Sequence, residues 1–299
     1  MIEVKDVARR YGEVRAVDGV DLRVSAGQVF GLIGHNGAGK STLFKMMLGL
    51  VAPTAGEIRI GGHAVDGPRF RDVRRGIGYL PENVVFHDNL TGLETLAFFA
   101  RLKGADRAQC APLLERVGLA GAAGRRVKGY SKGMRQRLGF AQALLGQPKL
   151  LFLDEPTTGL DPEGIREFYS IVRGLREGGA TIVLTSHILS EIQERVDRLA
   201  IMKAGRIQAC GTVQSLREAA HLPLCFDLEL GDGGHESLEG ALAGLGLQAV
   251  RQQGDAVSLH CPRESKMAVL GAVATLGSLV RDLRVREPSL EDIFLGYSS

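Results

Sequence analysis

Two rhythms of apolar residues alternate along the chain. Short unbroken runs, Val29-Phe30-Gly31-Leu32-Ile33, Gly76-Ile77-Gly78-Tyr79-Leu80, Leu150-Leu151-Phe152-Leu153 and Thr181-Ile182-Val183-Leu184, read as strands buried on both faces, as parallel sheets require. Between them the apolar spacing becomes helical, from Ser41 to Leu48 and again at Met134, Leu138, Ala141 and Leu145. Two β-rich segments, Ile2 to Lys5 and Val17 to Val24, open the chain, and residues 84–147 read as a helical insertion. Strands alternating with helices predict an α/β domain.

After Leu222-Pro223 the texture changes. Leu224 to Leu230 alternates as a strand, a helix is expected over 237–247, a hairpin over 248–261, a helix over 263–276, and a last strand from Val280 to Val285. That βαββαβ order predicts a small ferredoxin-like α+β domain. The boundaries read as 1–218 and 222–299, with Pro288 to Leu295 as a closing helix.

Composition narrows the class without naming a function. The 299 residues are 44% hydrophobic and 24% charged, as in a globular protein, and a net charge of +3 is too small to indicate nucleic acid. Arg71 to Arg75 and Arg125 to Lys128 read as solvated faces. The N-terminus has no apolar signal core, and no run approaches the ~18 apolar residues of a membrane span, so the chain reads as cytosolic. Cys110, Cys210, Cys225 and Cys261 show no metal spacing and are expected as reduced, buried small residues.

Gly34-His35-Asn36-Gly37-Ala38-Gly39-Lys40-Ser41 changes the picture. GxxxxGK followed by Ser or Thr, between a strand and a helix, is a phosphate-cradling loop. Its glycines let successive N–H groups and the positive helix end face a β-phosphate. Residues 34–41, with Thr42 after them, thus form a nucleoside triphosphate site, Lys40 reaching the β/γ oxygens and Ser41 a Mg2+ ion. The strand ending Leu153-Asp154-Glu155-Pro156 places two carboxylates where a parallel sheet holds its ligand. Asp154 suits the metal, and Glu155 the polarisation of an attacking water. Ser131 reads as the N-cap of a helix whose start, with Gly133, is a second anion site.

In order and spacing, the phosphate loop, Ser131-Lys132-Gly133 with Gln136-Arg137, Leu153-Asp154-Glu155-Pro156, Gly159-Leu160-Asp161 and Thr185-Ser186-His187 resemble the ATP-binding subunits of ABC transporters. The resemblance covers residues 1 to about 218. It implies an ABC ATPase fold and a head-to-tail homodimer that clamps ATP between one subunit's phosphate loop and the other's signature helix. It also implies integral membrane subunits and a peripheral place on the cytoplasmic face of the membrane. Carried over, Lys40, Glu155 and His187 are catalytic, His187 contacting the γ-phosphate. Tyr11 would stack on adenine, Ser131 and Gly133 would contact the partner's nucleotide, and Asp161 would cross the dimer interface.

Two departures stand out. The usual Leu-Ser-Gly-Gly-Gln signature retains only Ser131 and Gly133, with Tyr130, Lys132 and Met134 in the other places. Glu82 stands where the family has glutamine, a carboxylate that attracts Mg2+ yet repels phosphate, and is expected to couple before it catalyses. The wording Gly78 to Val84, Arg125 to Leu138 and Ala141 to Gly146 further resembles the ATPase subunits of transporters supporting copper-site assembly in nitrous-oxide reductase. That resemblance implies an exporter-type complex with a periplasmic component. A drug or lipid exporter is the alternative; a soluble ATPase acting on ribosomes or DNA fits less well, there being one cassette and no coiled-coil heptads.

Within the insertion, Thr91-Gly92-Leu93-Glu94 is a capping box opening a helix through Leu102. At about 100° per residue, Leu93, Leu96, Ala97 and Ala100 form one stripe, with Phe98 and Leu102 nearly opposite. Two apolar faces favour a helix sandwiched in a core over one that receives a helix of the membrane subunit.

Overall fold

Strand β1 (Ile2–Tyr11) pairs antiparallel with β2 (Val14–Val24). With β4 (Ala55–Ile60) and β5 (His63–Ala64) they make a four-stranded sheet ordered β2-β1-β4-β5. Its inner face is Ile2, Val4, Val20, Leu22, Ile58 and Ile60, all buried, so period-two alternation fixes which side meets the core. The unbroken apolar runs form the second sheet. Strands β3 (Val29–Ile33), β6 (Ile77–Leu80), β7 (Leu150–Leu153), β8 (Thr181–Ser186) and β9 (Arg198–Lys203) lie parallel. β10 (Arg206–Gly211) returns antiparallel, giving the order β10-β9-β3-β8-β7-β6. Every residue of β3, β7 and β8 is buried, as expected of strands covered on both faces.

This structure is a computed structural model describing residues 1–188, 192–219, 223–245, 247, 249–253 and 256–287. Helix α1 (Lys40–Met47) follows β3 and sinks Leu43, Phe44, Met46 and Met47 into the core. Phe44 meets Phe152 of β7 edge-on with centroids 5.3 Å apart, tying the helix of the phosphate loop to the strand that ends in Asp154. The short α2 (Phe70–Arg75) precedes β6, and the insertion contributes α3 (Gly92–Lys103), α4 (Cys110–Arg116) and α5 (Lys132–Leu144). Helix α6 (Pro162–Glu177) then returns the chain to β8.

The capping box of α3 is present, with Thr91 accepting from the Glu94 N–H and the Glu94 carboxylate accepting from the Thr91 N–H. The sandwiched-core expectation for this helix is corrected. Leu96 and Ala100 are buried, but Leu93 is exposed, Phe98 is 44% exposed and Leu102 68%. The helix spends one face on the domain and leaves the other to solvent. The cysteines also differ from expectation: Cys110 and Cys261 are buried, whereas Cys225 is half-buried and Cys210 exposed.

Contacts divide the chain after Thr212, so the helix Val213–Ala219 groups with the second unit. There β11 (Leu224–Leu230), β12 (Ala249–Gln253), β13 (Ala256–Cys261) and β14 (Val280–Arg286) form an antiparallel sheet ordered β12-β13-β11-β14. With helices Gly234–Ala243 and Lys266–Thr275, this is the ferredoxin-like βαββαβ arrangement. Its own core is built on Leu224, Phe226, Leu228, Leu238, Leu259 and Val269. The expected closing helix from Pro288 lies outside the described residues. Among the described residues, no helix is long and apolar enough to cross a membrane.

Candidate functional site

The turn from β3 to α1 is shaped by what cannot fit. A Cβ on Gly34 would lie 2.3 Å from the Met202 carbonyl oxygen, and one on Gly39, at φ 102°, would lie 2.3 Å from that of Ala16. Gly37 takes φ 84° in open space. The loop is also held from outside: the Gly205 N–H donates to Ala38 O at 3.0 Å and the Asp18 N–H to Gly205 O at 2.9 Å. Lys40 is buried at the head of α1, its Nζ donating to the Gly34 carbonyl and, at 3.3 Å, to that of His35. Burial pushes the ammonium's pKa down, against the opposing pull of Glu155, Asp154 and Glu82.

At the end of β7, Asp154 and Glu155 are both buried. Glu155 adopts φ 47°, which aims its carboxylate back at the phosphate loop. One oxygen, Oε1, lies 3.8 Å from Lys40 Nζ, and Oε2 lies 2.7 Å from His187 Nδ1. An ionised carboxylate only accepts, so Nδ1 carries the ring proton of this contact. His187 follows β8 with half its side chain exposed, placing it on the cleft side of Glu155. Thus Lys40, Glu155 and His187, far apart in sequence, form one cluster around the Glu155 carboxylate.

A cleft of about 560 Å3 opens over this cluster, within the range of small-molecule sites. It gathers His35, Asn36, Gly37, Ala38, Gly39, Lys40, Ser41, Thr42, Glu82, Glu155 and His187 from the expected set. Gly34 and Asp154 are buried beneath it. Val14, Arg15, Ala16, Thr158 and Ala204 also line it, and sequence reasoning missed them because they come from strand ends and turns with no motif of their own. Tyr11 is not among the lining residues; it ends β1 with its ring 45% exposed and 4.6 Å from the Arg9 guanidinium. Asp154 and Glu82, after burial itself, raise the nearby Tyr79 phenol to about 12.

The oxygen donors Ser41, Asp154 and Glu82 suit a hard cation. Among the described residues no three His, Cys, Asp or Glu side chains converge as a metal cage. Mg2+ in general keeps waters and substrate phosphates and takes only one or two protein groups.

Ser131, Gly133 and Asp161 do not line this cleft. Ser131 caps α5, accepting the Met134 N–H at 3.2 Å, and Asp161 caps α6, accepting that of Gly164 at 3.0 Å. A Cβ on Gly133 would lie 2.9 Å from Gly159 O. The departures in the signature have local causes. Tyr130 is buried and donates its hydroxyl to Ala122 O at 2.7 Å, occupying the space where a Cβ on Gly92 would lie 2.2 Å away. Lys132 lays its methylenes over Gly159, and buried Gln136 donates to Pro156 O at 3.1 Å, linking α5 to the segment after Glu155.

Residues 17–158 match the family model described as ABC transporter. The daunorubicin resistance ATP-binding protein DrrA3 of Streptomyces coeruleorubidus is 40% identical over 98% of this chain and 94% of its own length. The bacitracin transport ATP-binding protein BcrA of Bacillus licheniformis is 41% identical, covering 69% of this chain and 68% of its own. Among solved structures, a dimeric ATP-binding cassette in a post-hydrolysis state, bound to ADP and Pi, superposes with a TM-score of 0.66 at 26% identity, over 71% of this chain and 99% of its own. With the phosphate loop, the paired carboxylates and the histidine assembled as described, the chain belongs to the ABC transporter family, as an ATP-binding subunit.

Proposed function

We propose that this chain is the ATP-hydrolysing subunit of a membrane exporter, acting as a homodimer with integral membrane subunits on the cytoplasmic face of the membrane. The observation that carries this reading is the convergence of Lys40, Glu155 and His187 over one phosphate loop. Lys40 would leave its loop carbonyls for the β/γ-phosphate oxygens. Glu155, its Oε2 steadied by His187, would accept a proton from the water attacking the γ-phosphate. His187 would contact a γ-phosphate oxygen on the cleft side of Glu155. Ser41 and Asp154, with Glu82 beside them, would hold Mg2+, which when bound neutralises charge on the β/γ oxygens. Each site would be completed by the partner subunit's α5, since Ser131 and Gly133 lie outside the cleft of their own chain. The superposable dimeric cassette supports that arrangement.

A cargo of the drug or antibiotic class is supported by the relatives named for daunorubicin resistance and bacitracin transport. A second reading, copper-site assembly for nitrous-oxide reductase with a periplasmic component, rests on the wording of residues 78–84, 125–138 and 141–146. Inverted vesicles carrying the complex decide between them. ATP-dependent accumulation of daunorubicin or bacitracin, lost with Glu155→Gln, supports the first. Loss of copper from nitrous-oxide reductase on deletion of the chain, without drug transport, supports the second. Absence of any ATP-dependent effect overturns the exporter reading.

A further inference from the structure

Thr185 touches both acidic residues at the end of β7. It is fully buried in β8, where its Oγ1 donates to Asp154 Oδ1 at 2.7 Å and accepts the Glu155 N–H at 2.8 Å. A hydroxyl has one proton, and a carboxylate and an amide N–H on either side leave it one orientation. The place of this contact matters. The β7–β8 ladder runs from Leu150 opposite Thr181 to Leu153 opposite Leu184 and stops there. One residue further, where backbone pairing ends, the Thr185 side chain takes over from it. Glu155 needs such a hold, because its φ of 47° lies in the left-handed region that side-chain-bearing residues seldom occupy. The Asp154 N–H, meanwhile, donates to Leu80 O of β6 at 2.8 Å, so the two successive peptides are held from opposite sides.

We infer that Thr185 is a positioning residue for ATP hydrolysis, its hydroxyl locking the Glu155 peptide in the turn that aims the carboxylate at the cleft. Thr185 does not line the cleft, so its effect on the reaction runs through Glu155 and Asp154. The inference rests on the role proposed for Glu155.

The test compares Thr185→Val, which keeps the shape and loses the hydroxyl, with Thr185→Ser, which keeps it. In Thr185→Val, kcat is expected to fall about 10- to 100-fold, the scale for a misaimed catalytic group, measured well below the variant's own Tm. KM for ATP and equilibrium binding of a fluorescent ATP analogue should stay within about threefold, since only the reacting geometry is disturbed. The Glu155 amide should exchange hydrogen faster, a readout independent of turnover. Thr185→Ser should recover turnover to within about threefold of wild type. If the valine chain does not fold, Thr185→Cys, with its weak thiol donor, makes the same comparison. Wild-type kcat in the hydroxyl-free variant, or equal loss in the serine variant, overturns the inference. Glu155→Gln assayed alongside separates the two claims: full turnover there removes the role of Glu155 itself, whereas full turnover only in Thr185→Val removes Thr185 alone.

Discussion

Glu155→Gln changes one charge while keeping shape, and the structure says what that charge does. Glu155 is buried, and its Oε1 lies 3.8 Å from Lys40 Nζ. At an effective dielectric of about 20, two unit charges at that distance attract by about 4 kcal/mol. In the absence of that carboxylate Lys40 loses a partner, but an incoming γ-phosphate loses a like-charged neighbour on the same scale. ATP affinity should therefore hold or tighten. Turnover should not: removal of a positioned base slows proton transfer by about 10²–10⁴, equivalent to about 3–5 kcal/mol on the barrier. The glutamine amide can still contact His187 Nδ1, so the cleft keeps its shape and the defect is chemical. Phosphate release under single- and multiple-turnover conditions measures the rate, equilibrium binding of ATP measures affinity, and light scattering with ATP detects the accumulated dimer. Turnover within threefold of wild type, or weakened ATP binding, would refute the assignment. Lys40→Ala provides the contrast, since losing the phosphate contact should weaken binding itself.

If each site is shared, a heterodimer of a Lys40→Ala chain with a Ser131→Arg chain keeps one intact site and outpaces wild type paired with the double variant; the reverse ordering would exclude composite sites. Replacing exposed Phe98 and Leu102 together with Ser should leave the isolated chain's Tm within about 2 °C, as surface changes do, while reducing copurification of the membrane subunit. A large Tm fall would show that they are structural. In the second unit, donation from Arg286, then Ser258, holds the Asp227 carboxyl below its ordinary 3.8, at about 2. Its contribution to stability is complete above about 3.8 and is lost as pH falls through about 2. Asp227→Asn should therefore flatten the acid limb of β11 amide protection between those values; an unchanged limb would show that the pair contributes nothing.

What could be read from the sequence was whatever a short segment determines by itself. The phosphate loop announces itself locally, by the spacing of its glycines and lysine between a strand and a helix, even though the clashes that demand glycine at 34 and 39 come from Met202 and Ala16, distant in sequence. The βαββαβ order was likewise visible, each element carrying its own period and turn signals. Phe98 and Leu102 misled because an apolar side chain has the same pattern whether it meets a core or solvent; only the neighbours of α3 decide. Thr185 was read only as part of the motif ending in His187, and its own role stayed hidden for a related reason. A threonine in a β-run is an ordinary strand residue, and its role arises only when β7 and β8 align and run out together. Arg15 and Ala204 entered the cleft through the folding of β2 and the β9–β10 turn around the phosphate loop, a juxtaposition that no linear spacing encodes.

The tyrosine that replaces leucine at the head of the signature makes two distant positions heritable as one. With the Tyr130 phenol reaching Ala122, residue 92 is restricted to glycine, because any side chain there collides with the hydroxyl. A signature pentapeptide grafted into this chain from a leucine-bearing relative would leave a gap beside Gly92. The reverse graft, into a relative with a larger residue at the start of that helix, would jam. A crossover between such ATPases therefore keeps this packing only when positions 92 and 130 stay on the same parental fragment, which places the viable breakpoints outside residues 92–130.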